Sequence, residues 1–125
     1  MPKTIIIPKG SAPPLAPYSP GVRAGNTVYV SGTVLTNSKG ETVGVGDVKA
    51  QTRAVLEAIK AVLEAGGEMS DVVFNTIILK DLADYKAMNE IYSEFFPTEA
   101  PAPYCITAGL VRDDFLVEIA SITHI

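Results

Sequence analysis

The run from Phe115 to Ile122 carries apolar side chains at odd and even positions alike, broken by one acid, Glu118. In an extended chain successive side chains point to opposite faces. A strand here is therefore apolar on both faces, and both must be covered. Within 125 residues there is room for one core, so residues 1–125 form a single domain. What the rest of the chain supplies decides how the two faces are covered.

Thr4 to Ile7 is a short β-branched run stopped by Pro8, an edge-strand pattern. Pro8, Pro13, Pro14, Pro17 and Pro20 exclude a helix or central strand between them, and Tyr18 sits on that stiffened backbone. Thr27 to Gly32 alternates as a strand, with Val28 and Val30 on one side and Tyr29 and Ser31 on the other. Asn37-Ser38-Lys39-Gly40 signals a hairpin between Val34-Leu35 and Thr42-Val43. A helix begins at Asp47, runs through Val48, Val55, Leu56, Ile59, Val62 and Leu63 at helical spacing, and ends at Gly66-Gly67. Val72 to Leu79 reads as a buried strand. Asp81 or Asp84 opens a second helix, striped by Leu82, Tyr85, Met88, Tyr92, Phe95 and Phe96 and stopped by Pro97. Tyr104 to Ala108 and Phe115 to Thr123 complete the order as two strands.

The pattern is α+β: one mixed sheet with two helices on a single face. That single layer of helices leaves the second apolar face of Phe115–Ile122 bare. An exposed apolar face of several hundred Å2 marks a partner surface. At about 25 cal/mol per Å2 its burial contributes several kcal/mol before association costs. The chain is therefore expected to form an obligate homo-oligomer with its sheets facing inward.

Composition narrows the function. A net charge of -4 and a pI near 4.9 disfavour binding to phosphate backbones, so no nucleic-acid partner is expected. One cysteine forms no internal disulfide, and one histidine and one cysteine give no metal-site spacing. The glycines show no phosphate-cradle spacing, which leaves no motif for a nucleotide cofactor. No apolar run is long enough for a signal-peptide core or a membrane span, so a soluble, cytoplasmic protein without membrane partners is expected.

Glu118 is the residue that fits its surroundings least. Leu116, Ala120 and Ile122 share its side of the strand. Desolvation there disfavours the carboxylate. Such a group finds donors, faces a wet cleft or stays protonated, each suited to acid/base work or to placing a water. The competing reading is a solvent-facing or ion-paired edge glutamate. Cys105 reads as a small buried hydrophobe or a pocket thiol, with no His/Asn/Asp set to activate it. His124, close to the end of the chain, reads as a surface residue. Tyr18 is either a hydroxyl donor at a pocket mouth or a ring packed on prolines. Ser31-Gly32 either presents a hydroxyl and an N–H or forms an ordinary turn. Asn89 is a polar exception one helical turn from Tyr92, which fits the apolar stripe.

Pro101-Ala102-Pro103-Tyr104-Cys105, followed by Leu116-Val117-Glu118-Ile119, resembles the signature of the Rid (YjgF) family. Ala16-Pro17-Tyr18-Ser19-Pro20-Gly21, Val30-Ser31-Gly32-Thr33, Ala50-Gln51-Thr52-Arg53 and the run from Asn89 to Pro97 resemble it at matching intervals. Within the family the opening Met-Pro-Lys, the Asn-Glu-Ile-Tyr run and the ending from Val117 to Ile125 are most similar to the RutC branch. The resemblance implies a chorismate-mutase-like α+β fold and a homotrimer with sites in clefts between subunits. It also implies hydrolysis of a small reactive enamine or imine, such as 3-aminoacrylate in pyrimidine breakdown, to a carbonyl compound and ammonia. No metal or organic cofactor is implied.

Carried over residue by residue, Glu118 orients or deprotonates the water, and Tyr18 with the Ser31-Gly32 backbone lines the pocket. Cys105 and Asn89, with Pro103 and Tyr104, come from the facing strand and helix of a neighbouring chain. The family's deaminases usually carry an arginine, here replaced by Pro103, that holds the substrate carboxylate through two charge-assisted hydrogen bonds. Such bonds contribute about 1.5–3 kcal/mol each, so losing both weakens carboxylate binding by about 10²-fold. Arg23 and Arg112, in predicted loops, are candidate replacements, whereas Arg53 inside the first helix suits a salt bridge. A second reading follows from Pro103: a non-catalytic trimer that binds a metabolite or a protein. Ribonuclease activity, attached to some members of the family, is disfavoured by the acidic pI and the lack of a basic stripe.

Overall fold

The computed structural model describes residues 2–11 and 16–125. Pro13 and Pro14 of the proline-rich stretch lie outside the described residues. In chain order the elements are β1 (Thr4–Ile6), β2 (Gly21–Ala24), β3 (Thr27–Thr33), α1 (Val48–Leu63), β4 (Val72–Leu79), α2 (Tyr85–Phe95), β5 (Ala102–Thr107) and β6 (Val117–His124). They build one mixed sheet in the order β1-β2-β3-β6-β4-β5. Only β4 and β5 run parallel, joined by α2 as a crossover.

The twice-apolar strand β6 sits in the middle of the sheet, between β3 and β4. Val117, Ile119, Ser121 and Thr123 turn to the helices and are buried, while Glu118, Ala120 and Ile122 turn the other way and are only partly covered. Val55, Leu56, Ile59, Val62 and Leu63 of α1 and Met88 and Ile91 of α2 close the covered face. The α+β expectation, with one mixed sheet and both helices on one face, holds.

Polar groups in the covered layer are mostly matched. Gln51 donates to the Asp114 carbonyl at 2.8 Å and accepts from the Leu116 N–H at 2.7 Å, tying α1 to the entry of β6. Asn75 donates to the Tyr92 hydroxyl at 2.8 Å and accepts from Ser121, joining α2, β4 and β6 through one buried amide. The Thr123 hydroxyl has no partner among the described residues.

Four local readings change. β2 is a strand that the sequence analysis did not identify: four residues after the last proline of the loop, hydrogen-bonded between β1 and β3. The hairpin at Asn37–Gly40 forms, with Gly40 at φ +76° and its N–H bonded to the Asn37 carbonyl, but its arms meet in a single bridge, Thr36 to Thr42. Helix α1 is capped by Asp47, whose carboxylate accepts from the Ala50 N–H at 3.0 Å. It ends at Leu63, and neither Gly66 nor Gly67 takes the left-handed conformation. Both lie close to neighbouring side chains instead. A Cβ on Gly66 would lie 2.9 Å from the Arg23 guanidinium, and one on Gly67 would run into Ile125. Asp81 caps a single 3-10 turn ahead of α2, while Asp84 precedes the helix without a side-chain cap bond.

Candidate active site

Glu118 lies near the start of β6 on the bare face, opposite Ile78 of β4. On its other side the β3 ladder slips. Val30 pairs with Ser121 and Thr33 with Ile119, so two residues of β3, Ser31 and Gly32, stand opposite one of β6, Ala120. Ser31-Gly32 is thus a β-bulge, which breaks the alternation and re-aims the side chains at this point. The Ser31 N–H donates to the Pro20 carbonyl at 3.0 Å, extending the β2–β3 pairing one residue beyond Gly21 and Val30, while its hydroxyl donates to the Ser19 carbonyl. The proline-rich loop is thereby anchored beside the bulge, with Tyr18 one residue from that anchor.

A cleft of about 440 Å3 results, lined by Ala16, Tyr18, Ser31, Gly32, Val34, Val111 and Glu118. Gly32 is where the backbone comes closest to the acid. A Cβ there would collide with the Glu118 carboxylate, 3.1 Å from its Cδ. Burial in this apolar setting pushes the Glu118 carboxyl above its ordinary value of 4.5. Among the described residues no side chain or N–H donates to that carboxylate and no cation pairs with it, so its lone pairs face the cleft.

Four of the residues singled out in the sequence, Tyr18, Ser31, Gly32 and Glu118, thus meet in one place. The other four do not line this cleft. Pro103, Tyr104 and Cys105 lie on β5, the edge of the sheet, where all six residues are exposed. Asn89 is on α2, half-buried. By register Pro103 and Cys105 neighbour Asn75 and Ile77, which face the helices, whereas Tyr104 neighbours Thr76 of the bare face. The Cys105 thiol is raised above its ordinary value by partial burial, so it is held as the thiol rather than the thiolate.

Neither proposed replacement arginine lines the cleft. The Arg23 Nε donates to the Gly25 carbonyl at 3.0 Å, at the opposite end of β2 and β3 from Ser31. The Arg112 Nη1 donates to the Gly40 carbonyl at 2.7 Å, and its guanidinium lies 5.5 Å from the centre of the Phe115 ring. Arg53 makes the expected salt bridge, to Glu94 of α2. His124 is exposed at the far end of β6, paired with Thr27. Among the described residues no group of three His, Cys, Asp or Glu side chains could hold a metal ion, and no helix is long and apolar enough to cross a membrane. The sequence reading missed Val34 and Val111. Both are ordinary valines in irregular segments, with no spacing signal to find them.

Comparison with known proteins points the same way. The chain is 55% identical, over the whole length of both chains, to 3-aminoacrylate deaminase RutC of Acinetobacter baylyi. The crystal structure of RidA from an Antarctic Psychrobacter superposes with a TM-score of 0.88 at 33% identity, covering 98% of this chain and 99% of that one. Escherichia coli TdcF, solved with bound serine, superposes with a TM-score of 0.87 at 30% identity, covering 98% of both. With residues 9–125 also matched by the family model described as Endoribonuclease L-PSP, the chain belongs to the Rid (YjgF) family, close to its RutC-type branch.

Proposed function

We propose that the protein hydrolyses a small reactive enamine or imine, of the 3-aminoacrylate kind, to a carbonyl compound and ammonia, with Glu118 acting on the attacking water. The observation that carries this reading is a half-buried carboxyl, raised by burial and free of partners among the described residues, opening into a cleft formed at a β-bulge. Protonation of the enamine at carbon gives an iminium. Water adds to the C=N carbon as Glu118 takes its proton, and the carbinolamine then collapses as nitrogen is protonated and ammonia leaves. The atoms balance as enamine plus water to carbonyl plus ammonia. The carboxylate also stabilises the iminium charge in a setting where water screens it poorly. Tyr18 and the Ser31-Gly32 backbone shape the pocket.

The site is completed by assembly in this proposal. The bare face carries Tyr29, Tyr104 and Ile106, which are 50%, 54% and 40% exposed. A chorismate-mutase-like homotrimer that closes these faces inward brings the exposed edge β5 of one protomer toward the cleft of the next. Cys105, Asn89, Pro103 and Tyr104 then form the far wall.

The test is ammonia release from freshly generated 3-aminoacrylate. The wild type should exceed the spontaneous rate, and Glu118→Gln should lower turnover by about 10²-fold with the assembly intact. Full turnover in that variant refutes the role of Glu118. A second reading rests on Pro103, which offers no charge, and on Glu118 being the one charged group lining the cleft among the described residues. It is a trimer that binds a metabolite or a protein without catalysis, and a wild-type rate equal to the spontaneous one would favour it. Ribonuclease activity has no support at this site, since the single histidine lies at the other end of β6.

A further inference from the structure

Val111 is 76% exposed, more than any other large apolar side chain among the described residues. It is nevertheless set in a segment held from both sides. Three residues before it, the Ala108 N–H donates to the Leu79 carbonyl at 3.0 Å. Immediately after it, Arg112 reaches the Gly40 carbonyl and lies against the ring of the buried Phe115. Further on, Asp114 accepts from the Thr42 hydroxyl at 2.7 Å, and its carbonyl accepts from the buried Gln51. The Lys80 ammonium donates to the Asp113 carbonyl. Loops with this many long-range anchors hold a shape rather than sample many. The apolar side chain they hold out lines the same cleft as Glu118, beside Ala16 and Val34.

We propose that Val111 determines which substrates this cleft accepts, by setting the room for an aliphatic substituent beside the carbon attacked by water. This rests on the deaminase reading above and deepens it. A wall carried by a held loop cannot retreat from a substituent that is too long, so the cost of misfit falls on the substrate. Ala16 and Val34 make the same side of the cleft apolar, which selects small aliphatic imines and enamines over polar ones. Discrimination of about 10-fold per added methylene is what an apolar pocket delivers.

The experiment is a crossed series. Imines of increasing side-chain length are generated in situ from alanine, 2-aminobutyrate, norvaline and norleucine by an amino-acid oxidase, with catalase present. Wild type, Val111→Ala, Val111→Phe and the near-isosteric Val111→Thr are compared by kcat/KM, with assembly checked by light scattering. The wild type should fall off with length by about 10-fold per step once the pocket is filled. Val111→Ala should move that fall-off one or two carbons longer, and Val111→Phe should move it shorter. The readout in both is the ratio of kcat/KM between successive imines rather than the rate on any one of them, and Val111→Thr should keep the wild-type cut-off. Equal changes for every imine, or no change, overturn the role of Val111 while leaving the deaminase reading in place. Failure of the wild type to accelerate any of these imines or 3-aminoacrylate overturns both.

Discussion

The two faces of this sheet are built from the same strands and differ in almost every physical respect. On the helix side of β6, Val117 and Ile119 are sealed, and the polar side chains among them are bonded to one another, Thr123 excepted. One residue along, on the other side, Glu118 stands beside a cleft without a partner among the described residues, and aromatic rings lie open on β3 and β5. The helix side of β6, Val117, Ile119, Ser121 and Thr123, holds the chain together and carries no ionisable side chain. The bare side contributes little to the stability of a lone chain, and it carries both Glu118 and the exposed rings on which the proposed site and assembly rest.

The sharpest way to break this contrast is to truncate one residue on each face. Ile119→Ala removes a fully buried side chain and should cost about 2–5 kcal/mol, read from urea unfolding. Ile106→Ala, on the bare face, should cost far less in a dilute, dissociated chain. Equal costs would mean that the bare face already contributes to the protomer's own core.

Next in size is Glu118→Gln, now read as stability. The folded-state pKa of Glu118 lies above its ordinary value of 4.5 because burial penalises the charged form. The folded chain therefore binds the proton more tightly than the unfolded one. Relative stability from this group is fully present below about pH 4.5 and is lost as pH rises through the folded value. A neutral glutamine should thus raise the melting temperature at neutral pH, and the gain should vanish in acid. The acid limb of the wild-type pH–rate profile should lie above pH 4.5 and disappear in the variant. Stabilisation that persists in acid would assign the effect to packing rather than to desolvated charge.

Assembly gives the third test. Tyr104→Asp places a charge on the bare face, where closing the faces together would bury it without a partner. A shift from the proposed trimer to monomer in light scattering, with unchanged far-UV dichroism and lost turnover, is expected. Dissociation with full activity would mean that one protomer holds a complete site.

Much of this contrast was legible beforehand, and the reason is periodicity. β6 declares apolar side chains on both faces in eight residues, of which the structure buries the helix side, and the stripe from Val48 to Leu63 declares which face of α1 is covered. The resemblance signature located Tyr18, Ser31, Gly32 and Glu118 in advance, and they share one cleft. What stayed hidden depends on contacts distant in sequence. β2 carries too few residues to show alternation and exists because β1 and β3 pair with it. The bulge at Ser31-Gly32 is a mismatch in residue count between two strands, visible only once they are paired. Gly66 and Gly67 look like a helix stop, yet neither is left-handed, and both lie close against the side chains of Arg23 and Ile125. Val111 gains meaning only from the anchors around it.

Gly32 allows a finer test of the bare side. A methyl group at this position would displace the end of a flexible side chain rather than backbone, so Gly32→Ala should fold with nearly unchanged stability. The displaced group is the Glu118 carboxylate, and moving it by about 1 Å should lower kcat by about 10-fold to 10²-fold while altering KM less. An unchanged kcat would show that the carboxylate position seen here is not the one used in turnover.

The smallest effect belongs to the helix layer. Arg53 reaches Glu94 with both nitrogens of its fork, at 3.0 and 3.2 Å, and Lys49 reaches Glu90 alongside, clasping α1 to α2. These groups are about half exposed, so water and salt screen them, and holding two long side chains in place offsets most of what their attraction contributes. Their nearness raises Lys49 and Arg53 and lowers Glu90, through hydrogen bonding first and charge second, without giving the pair much weight in folding. Arg53→Ala should leave the unfolding midpoint and its salt dependence unchanged within error. A clear drop that high salt abolishes would mean that ion pairs, and not only the burial of Leu56, Ile59 and Met88, keep the helices on their face of the sheet.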